Sequence, residues 1–263
     1  MLGRLTERAA ERAAAARASA GSVRALERAA AAAPAPPSFK DALRRPEVAV
    51  VAEVKRRSPS KGAINPGLSA AAQALAYAEA GAAAVSVLTE PEDFGGSLAD
   101  LEEARRAVRV PLLRKDFIVD DVQILEARAA GASAVLLIAR ALEPAVLPRL
   151  VASAHALSLD ALVEVRDERE LERALAAGSG VVGVNNRNLE TLAIDAAVGD
   201  RLLPMVPRDW LALWESGVRD VEGVRRAATA GADAVLVGSA LSASPDPRAA
   251  VRSLASVPKV PRG

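Results

Sequence analysis

The chain has 263 residues, 51% of them apolar, and its 34 basic and 33 acidic residues leave a formal charge of +1. That length suits one large α/β barrel or two small domains, and the balanced charge shows neither a basic excess for nucleic acid nor a charged tail, which points to a small-molecule partner or none. With no cysteine, a disulfide framework, a thiolate nucleophile and a cysteine-based metal site are excluded.

The N-terminus mixes Arg and Glu among its apolar residues, so it does not read as a signal peptide, and no apolar run approaches ~20 residues. A soluble, cytoplasmic protein without membrane contact is expected. Residues 5–33 are alanine-rich and helix-forming, with an interruption expected at Gly21-Ser22, and Leu2, Leu5, Val23 and Leu26 form an apolar stripe that would let the two pieces dock. Pro34, Pro36 and Pro37 end this segment. From residue 48 onward short apolar runs alternate with amphipathic stretches. Strands are predicted at 48–55, 84–88, 111–115, 134–138, 161–165, 181–185, 211–215 and 234–238. Helices are predicted at 69–80, 97–107, 121–130, 143–157, 168–177, 193–203, 221–230 and 246–256. Four helices close on Ala-Gly at Gly81, Gly131, Gly178 and Gly231, where a left-handed residue ends the helix. Eight units of ~25 residues suit a closed parallel barrel of ~250 residues. A doubly wound sheet would need fewer units or a topological reversal that nothing in the chain marks.

In such a barrel the C-terminal strand ends share one rim, where sites are built. In the first strand Ala49, Val51, Glu53 and Lys55 fall on one face, so two opposite charges end an otherwise apolar strand. Such groups face a polar cavity or form a buried ion pair. Glu164 and Glu215 lie inside strands, on the parity of Leu162 and Leu213, where solvated loops would not put them. The chain has only five lysines, Lys40, Lys55, Lys61, Lys115 and Lys259, and two of them end strands. Lysine can be tuned to exchange a proton, whereas arginine cannot, so Lys55 and Lys115 are candidates for proton transfer. Glu215-Ser216-Gly217 and Gly238-Ser239 follow the seventh and eighth strands, the usual anion site of this architecture. Ser58 and Ser60 flank Pro59 after the first strand and would add hydroxyl donors or shape a turn.

These stretches resemble the indole-3-glycerol phosphate synthase family over nearly the whole chain. The matching motifs are VAEVKRRSPSKG at 51–62, SVLTEPEDFGGS at 86–97, LLRKDF at 112–117, ALVEV at 161–165, VNNRNLETL at 184–192, ESG at 215–217 and LVGSAL at 236–241. The resemblance implies an α/β fold, a single (β/α)8 TIM barrel at 48–263 with an N-terminal helical extension at 1–47 over the catalytic face. It implies no cofactor or metal. The implied substrate is a phosphorylated small molecule, 1-(o-carboxyphenylamino)-1-deoxyribulose 5-phosphate, whose indole ring closes with loss of carbon dioxide and water. It further implies a monomer and association with other tryptophan-pathway enzymes.

Carried over by motif, Lys115 is the general acid at the ribulose carbonyl, Glu164 the general base of the later proton removal, and Lys55 a substrate contact that supplies the acid for dehydration. Glu53, Asn185 and Glu215 would hold the polar network. Arg187, Ser216, Pro59 and Ser60 would lie near the substrate, while Phe94, Phe117, Leu136 and Leu189 would wall the aromatic ring. Ser58, Gly217, Gly238 and Ser239 would hold the phosphate. Apolar walls are expected to raise the carboxylate pKa and lower the ammonium pKa.

The chain departs from the family pattern at Asn188, where Asp is common, and at the bulky Trp214, whose parity points it outward to the helix layer. Residues 1–38 contain no aromatic to contact the substrate. Two alternatives stand beside the synthase. Phosphoribosylanthranilate isomerase uses a cysteine base that this chain lacks, and a noncatalytic phosphate-binding barrel is disfavoured by the presence of both Lys115 and Glu164. His155 reads as a surface or packing residue.

Overall fold

Apolar side chains at every second position give each strand two buried faces, and strands of that kind are stable only when covered on both sides. A computed structural model, describing residues 1–18 and 20–262, satisfies this with a closed barrel. Its eight parallel strands are β1 (Ala49–Val54), β2 (Ala84–Leu88), β3 (Leu112–Lys115), β4 (Ala134–Ile138), β5 (Asp160–Val165), β6 (Gly180–Asn185), β7 (Leu211–Glu215) and β8 (Ala234–Val237). Each pairs with the next, and β1 closes the ring by pairing β8, with Ala49 opposite Ala234 and Ala52 opposite Val237.

The two faces make two cores. Val50, Ala52 and Val54 pack outward against the helices, with Val163, Val182, Val184 and Trp214. Ala49, Val51, Leu113, Leu136, Leu162, Leu213 and Leu236 fill the barrel, so Glu164 and Glu215 have the expected inward parity and Glu53, on the face of Ala49 and Val51, shares it. All four Ala-Gly helix ends carry a positive φ at the glycine, from 74° to 99°.

The N-terminal helices are α1 (Leu2–Arg17), α2 (Ala20–Ala32) and α3 (Phe39–Leu43). The break falls near Ala18 and not at Gly21-Ser22, both of which lie within α2. Leu2 and Leu5 are buried with the barrel's inner core, and Val23 and Leu26 are half-buried. The helices between strands are α4 (Ala70–Glu79), α5 (Leu98–Ala107), α6 (Asp121–Ala129), α7 (Val146–Ala156), α8 (Glu168–Ala177), α9 (Ala197–Leu202) and α10 (Val221–Thr229), followed by α11 (Ser239–Ser242) and α12 (Pro247–Leu254). Two of them start later than their sequence pattern. The segment before α7 contains Pro144, and before α9 the pairing of Ile194 with Arg187 holds the chain extended until Asp195 accepts the Ala197 amide at 3.0 Å. Among the described residues no helix is long and apolar enough to cross a membrane.

Candidate active site

At the C-terminal rim the inward side chains of alternate strands β1, β3, β5 and β7 are Glu53, Lys115, Glu164 and Glu215, in the arrangement by which barrel interiors are filled in layers of four. Lys115 Nζ stands 3.9 Å from Glu53 Oε2, 3.9 Å from Glu164 Oε2 and 3.8 Å from Glu215 Oε2. Lys55 ion-pairs with Glu53 from the strand's end. All three carboxylates are almost fully buried, and the two lysines are partly open to the mouth.

Electrostatics inside this layer differ from the expectation of a depressed lysine and uniformly raised carboxylates. Burial works to lower the Lys115 pKa, but Glu53, Glu215 and Glu164 outweigh it and raise the group above its ordinary value. Burial likewise works to raise Glu53, yet Lys55 and Lys115 together hold it below the ordinary carboxylate value. Glu215 follows the expectation. Burial first, then the charges of Glu164 and Glu53, push it up to about 8 against the opposing pull of Lys115.

This has a consequence for stability. A carboxyl that titrates near 8 when folded and near 4.5 when unfolded binds more protons folded, so its contribution is full below 4.5 and is lost as pH rises towards 8. Glu215→Gln mimics the protonated form. Thermal unfolding is expected to show the variant gaining on the parent protein between pH 6 and pH 9; a difference that stays constant across that range would remove the raised carboxyl.

Space for Glu215 comes from the neighbouring strand, where Gly183 is glycine because a Cβ there would collide with Glu215 Oε1 and press on Leu162. Gly183→Ala is expected to cost about 1–3 kcal/mol through overpacking and to displace the carboxylate, lowering both Tm and turnover. Gly238 does the same for Glu53 and Lys55, both of which a Cβ there would strike. The segment after it is pinned to β1 by Ser242, whose Oγ accepts from the Lys55 amide at 3.2 Å and donates to the Glu53 carbonyl at 3.0 Å.

Asn185 accepts the Ser216 hydroxyl and the Arg187 amide, both at 2.9 Å, which ties β6 to the turn after β7. That turn is left-handed at Ser216 and Gly217, with φ of 66° and 89°. Arg187 donates to the Leu192 carbonyl at 2.9 Å and feels the charge of Glu53. Phe94 and Phe117 face each other with ring centroids 6.3 Å apart, and with Leu189 and Leu136 they join the inner core below α1. After β1 a short hairpin buries Ser58, whose hydroxyl has no hydrogen-bond partner among the described residues. Pro59 is half-buried, and Ser60 is exposed in the hairpin's turn. Ser239 begins α11, half-buried.

The two departures in sequence are both accommodated. Trp214 packs outward, on the glycine surface of Gly199 and under Arg226, whose guanidinium lies 5.9 Å from the ring. Asn188 Oδ1 accepts the amides of Glu190 and Thr191 at 2.8 and 3.2 Å and shapes the loop that carries Leu189. His155 is exposed in the last turn of α7.

A contact that sequence reasoning missed closes the rim from above. Arg4 and Arg8 of α1 pair with Asp93 at 3.0 and 3.2 Å, Arg12 with Asp116 at 3.1 Å and Arg17 with Asp120 at 2.6 Å. The four-residue spacing of Arg4, Arg8 and Arg12 was the available signal, but it reads equally as a solvated helix face.

A model of the indole-3-glycerol phosphate synthase family matches residues 2–254. Indole-3-glycerol phosphate synthase from Opitutus terrae is 51% identical over 225 residues, 83% of this chain and 85% of that protein. The enzymes of that name from Parafrankia sp. and Nocardioides sp. are 53% identical over 221 residues and 55% identical over 208, covering 83% and 79% of this chain and 82% and 80% of theirs. Among solved structures, ligand-free tryptophan synthase from M. tuberculosis superposes with a TM-score of 0.63 at 20% identity, over 86% of this chain and 98% of that one. Thiamine phosphate pyrophosphorylase from Pyrococcus furiosus gives 0.59 at 17% identity, over 81% and 95%. At such identity these two speak to the barrel fold alone. The family match spans the N-terminal helices and every strand that brings a charged group to the rim, and the chain belongs to the indole-3-glycerol phosphate synthase family.

Proposed function

We propose that this protein closes the indole ring of 1-(o-carboxyphenylamino)-1-deoxyribulose 5-phosphate, releasing carbon dioxide and water to give indole-3-glycerol phosphate. The observation that carries the reading is the layer in which Lys115 meets Glu53, Glu164 and Glu215, with Lys55 beside it, next to the apolar cluster of Phe94, Phe117, Leu136 and Leu189. Lys115 donates its proton to the ribulose carbonyl oxygen as the ring carbon attacks the carbonyl carbon. Loss of carbon dioxide from that ring carbon restores aromaticity. Lys55 then protonates the departing hydroxyl, and Glu164 takes the proton whose removal completes the indole double bond. Glu53 and Glu215 orient the two lysines, and Asn185 fixes Ser216 and the Arg187 backbone.

Phe94, Phe117, Leu136 and Leu189 supply a dry wall for the aromatic ring. The amides of Gly217, Gly238 and Ser239 and the Ser58 hydroxyl supply donors for the phosphate, an arrangement that spends remote binding energy on orienting the reacting atoms. The large apolar side chains exposed among the described residues, Leu75, Ile194, Met205 and Val260, lie apart in sequence, which favours a monomer.

The test is direct: the purified protein is incubated with the carboxyphenylamino-ribulose phosphate and indole fluorescence is followed. A rise that depends on protein concentration supports the synthase. Saturable substrate binding with no fluorescence would support a noncatalytic barrel in its place.

A further inference from the structure

The two aromatic walls of the slot hang from two buried carboxylates. Glu90 accepts the amides of Glu92, Asp93 and Phe94 at 3.2, 2.7 and 3.0 Å. Asp116 accepts the Phe117 amide at 2.8 Å, the Thr89 hydroxyl at 2.7 Å and Arg114 at 3.0 Å. The Glu90 side chain is 0% exposed and the Asp116 side chain 1%. Into the gap between them α1 inserts Arg12, with one terminal nitrogen 3.1 Å from Asp116 Oδ1 and the other 4.0 Å from Glu90 Oε1. That second nitrogen is buried and has no hydrogen-bond partner among the described residues. The neighbouring arginines of the ladder differ. Arg4 and Arg8 reach Asp93 and Glu92 on the outside of the loop, and Arg17 reaches Asp120 and Asp121 at the far end.

We propose that Arg12 is a positioning residue that couples the docking of α1 to the placement of Phe94 and Phe117, so that the N-terminal helix sets the geometry of the slot without touching the reacting atoms. The chemistry suits arginine. A planar fork can face two carboxylates at once, whereas a lysine ammonium is a single point that can serve only one. Without it Glu90 loses its facing cation and keeps only the three amides, so the buried charge is less well compensated and the turn that it organises is destabilised. Asp116 keeps Arg114, so the Phe94 side is the one that loosens more. This charge contact adds to the packing of Leu2 and Leu5 in the same inner core, where residues 1–38 place no aromatic.

That the slot holds the substrate's aromatic ring rests on the proposed function; the coupling itself does not. The experiment therefore has one arm in the ligand-free protein and one in turnover. Hydrogen exchange is measured for Arg12→Ala, Arg12→Lys and Arg17→Ala, the last loosening α1 at the end remote from the slot. Arg12→Ala is expected to speed exchange at the amides of residues 92–94 and of Phe117 by ~10-fold or more through local opening, with Arg12→Lys protecting Phe117 better than 92–94 and Arg17→Ala leaving all four amides unchanged. In turnover, Arg12→Ala is expected to raise KM by ~10-fold while kcat changes by less than ~3-fold, the signature of lost substrate positioning. Equal exchange in Arg12→Ala and Arg17→Ala would overturn the coupling. Should the parent protein show no turnover, the proposed reaction fails and the exchange arm still decides the role of Arg12.

Discussion

Lys115→Arg is expected to lower kcat at least ~100-fold while leaving the fold intact, because arginine keeps the charge and does not give up the proton. The structure makes this a cleaner test than the sequence did. Three carboxylates surround the Lys115 ammonium at 3.8–3.9 Å and hold its pKa above the ordinary value despite burial, so the acid is fully loaded at any physiological pH. Charge alone would then be preserved by arginine, and any binding role that needs only a cation would survive. On the proposed mechanism, what arginine removes is the capacity to transfer the proton at the moment the carbonyl oxygen develops negative charge. Tm measured alongside should fall by no more than a few degrees, since the ion-pair partners remain. Near-normal turnover in this variant would take the acid role away from Lys115.

Much of the barrel was legible because strands and helices each carry a local signal. Alternation placed all eight strands to within a residue or two, and the Ala-Gly ends marked where helices hand over to strands. Glu164 and Glu215 were legible for the same reason: a carboxylate on the parity of buried leucines has to face the barrel interior. Where the reading slipped, a nonlocal or competing effect prevailed. Gly21-Ser22 lies inside α2 because the flanking alanines favour helix and the segment docks on α6, a preference that one glycine in an exposed turn does not overcome. The pKa directions were misjudged because strand parity reports that charges face inward and says nothing of how many meet. The spatial arrangement alone shows that Lys115 has three acidic neighbours and that burial beside Glu164 pushes one of them, Glu215, upward. The arginine ladder of α1 escaped notice because its partners lie 85 to 104 residues away, a separation at which no spacing rule operates.

Glu164→Gln is expected to lower kcat by ~10²–10⁴-fold with KM changed far less, and to do so at a different step from Lys115→Arg. The amide fills the same volume and can still hydrogen-bond towards Lys115 and Glu215, so binding and the ring-closing attack keep their geometry. It cannot accept the proton whose loss completes the indole double bond. In a single turnover the variant should therefore release carbon dioxide well ahead of indole fluorescence, whereas Lys115→Arg should delay both together. The substitution also removes the neighbouring charge that is, after burial, the strongest influence raising Glu215. Glu215 should accordingly titrate lower in the variant, and the pH-dependent loss of thermal stability that the parent protein is expected to show towards pH 8 should move to lower pH. Simultaneous appearance of carbon dioxide and indole-ring fluorescence in Glu164→Gln would place Glu164 before decarboxylation and would make it a partner of Lys115 in the first step.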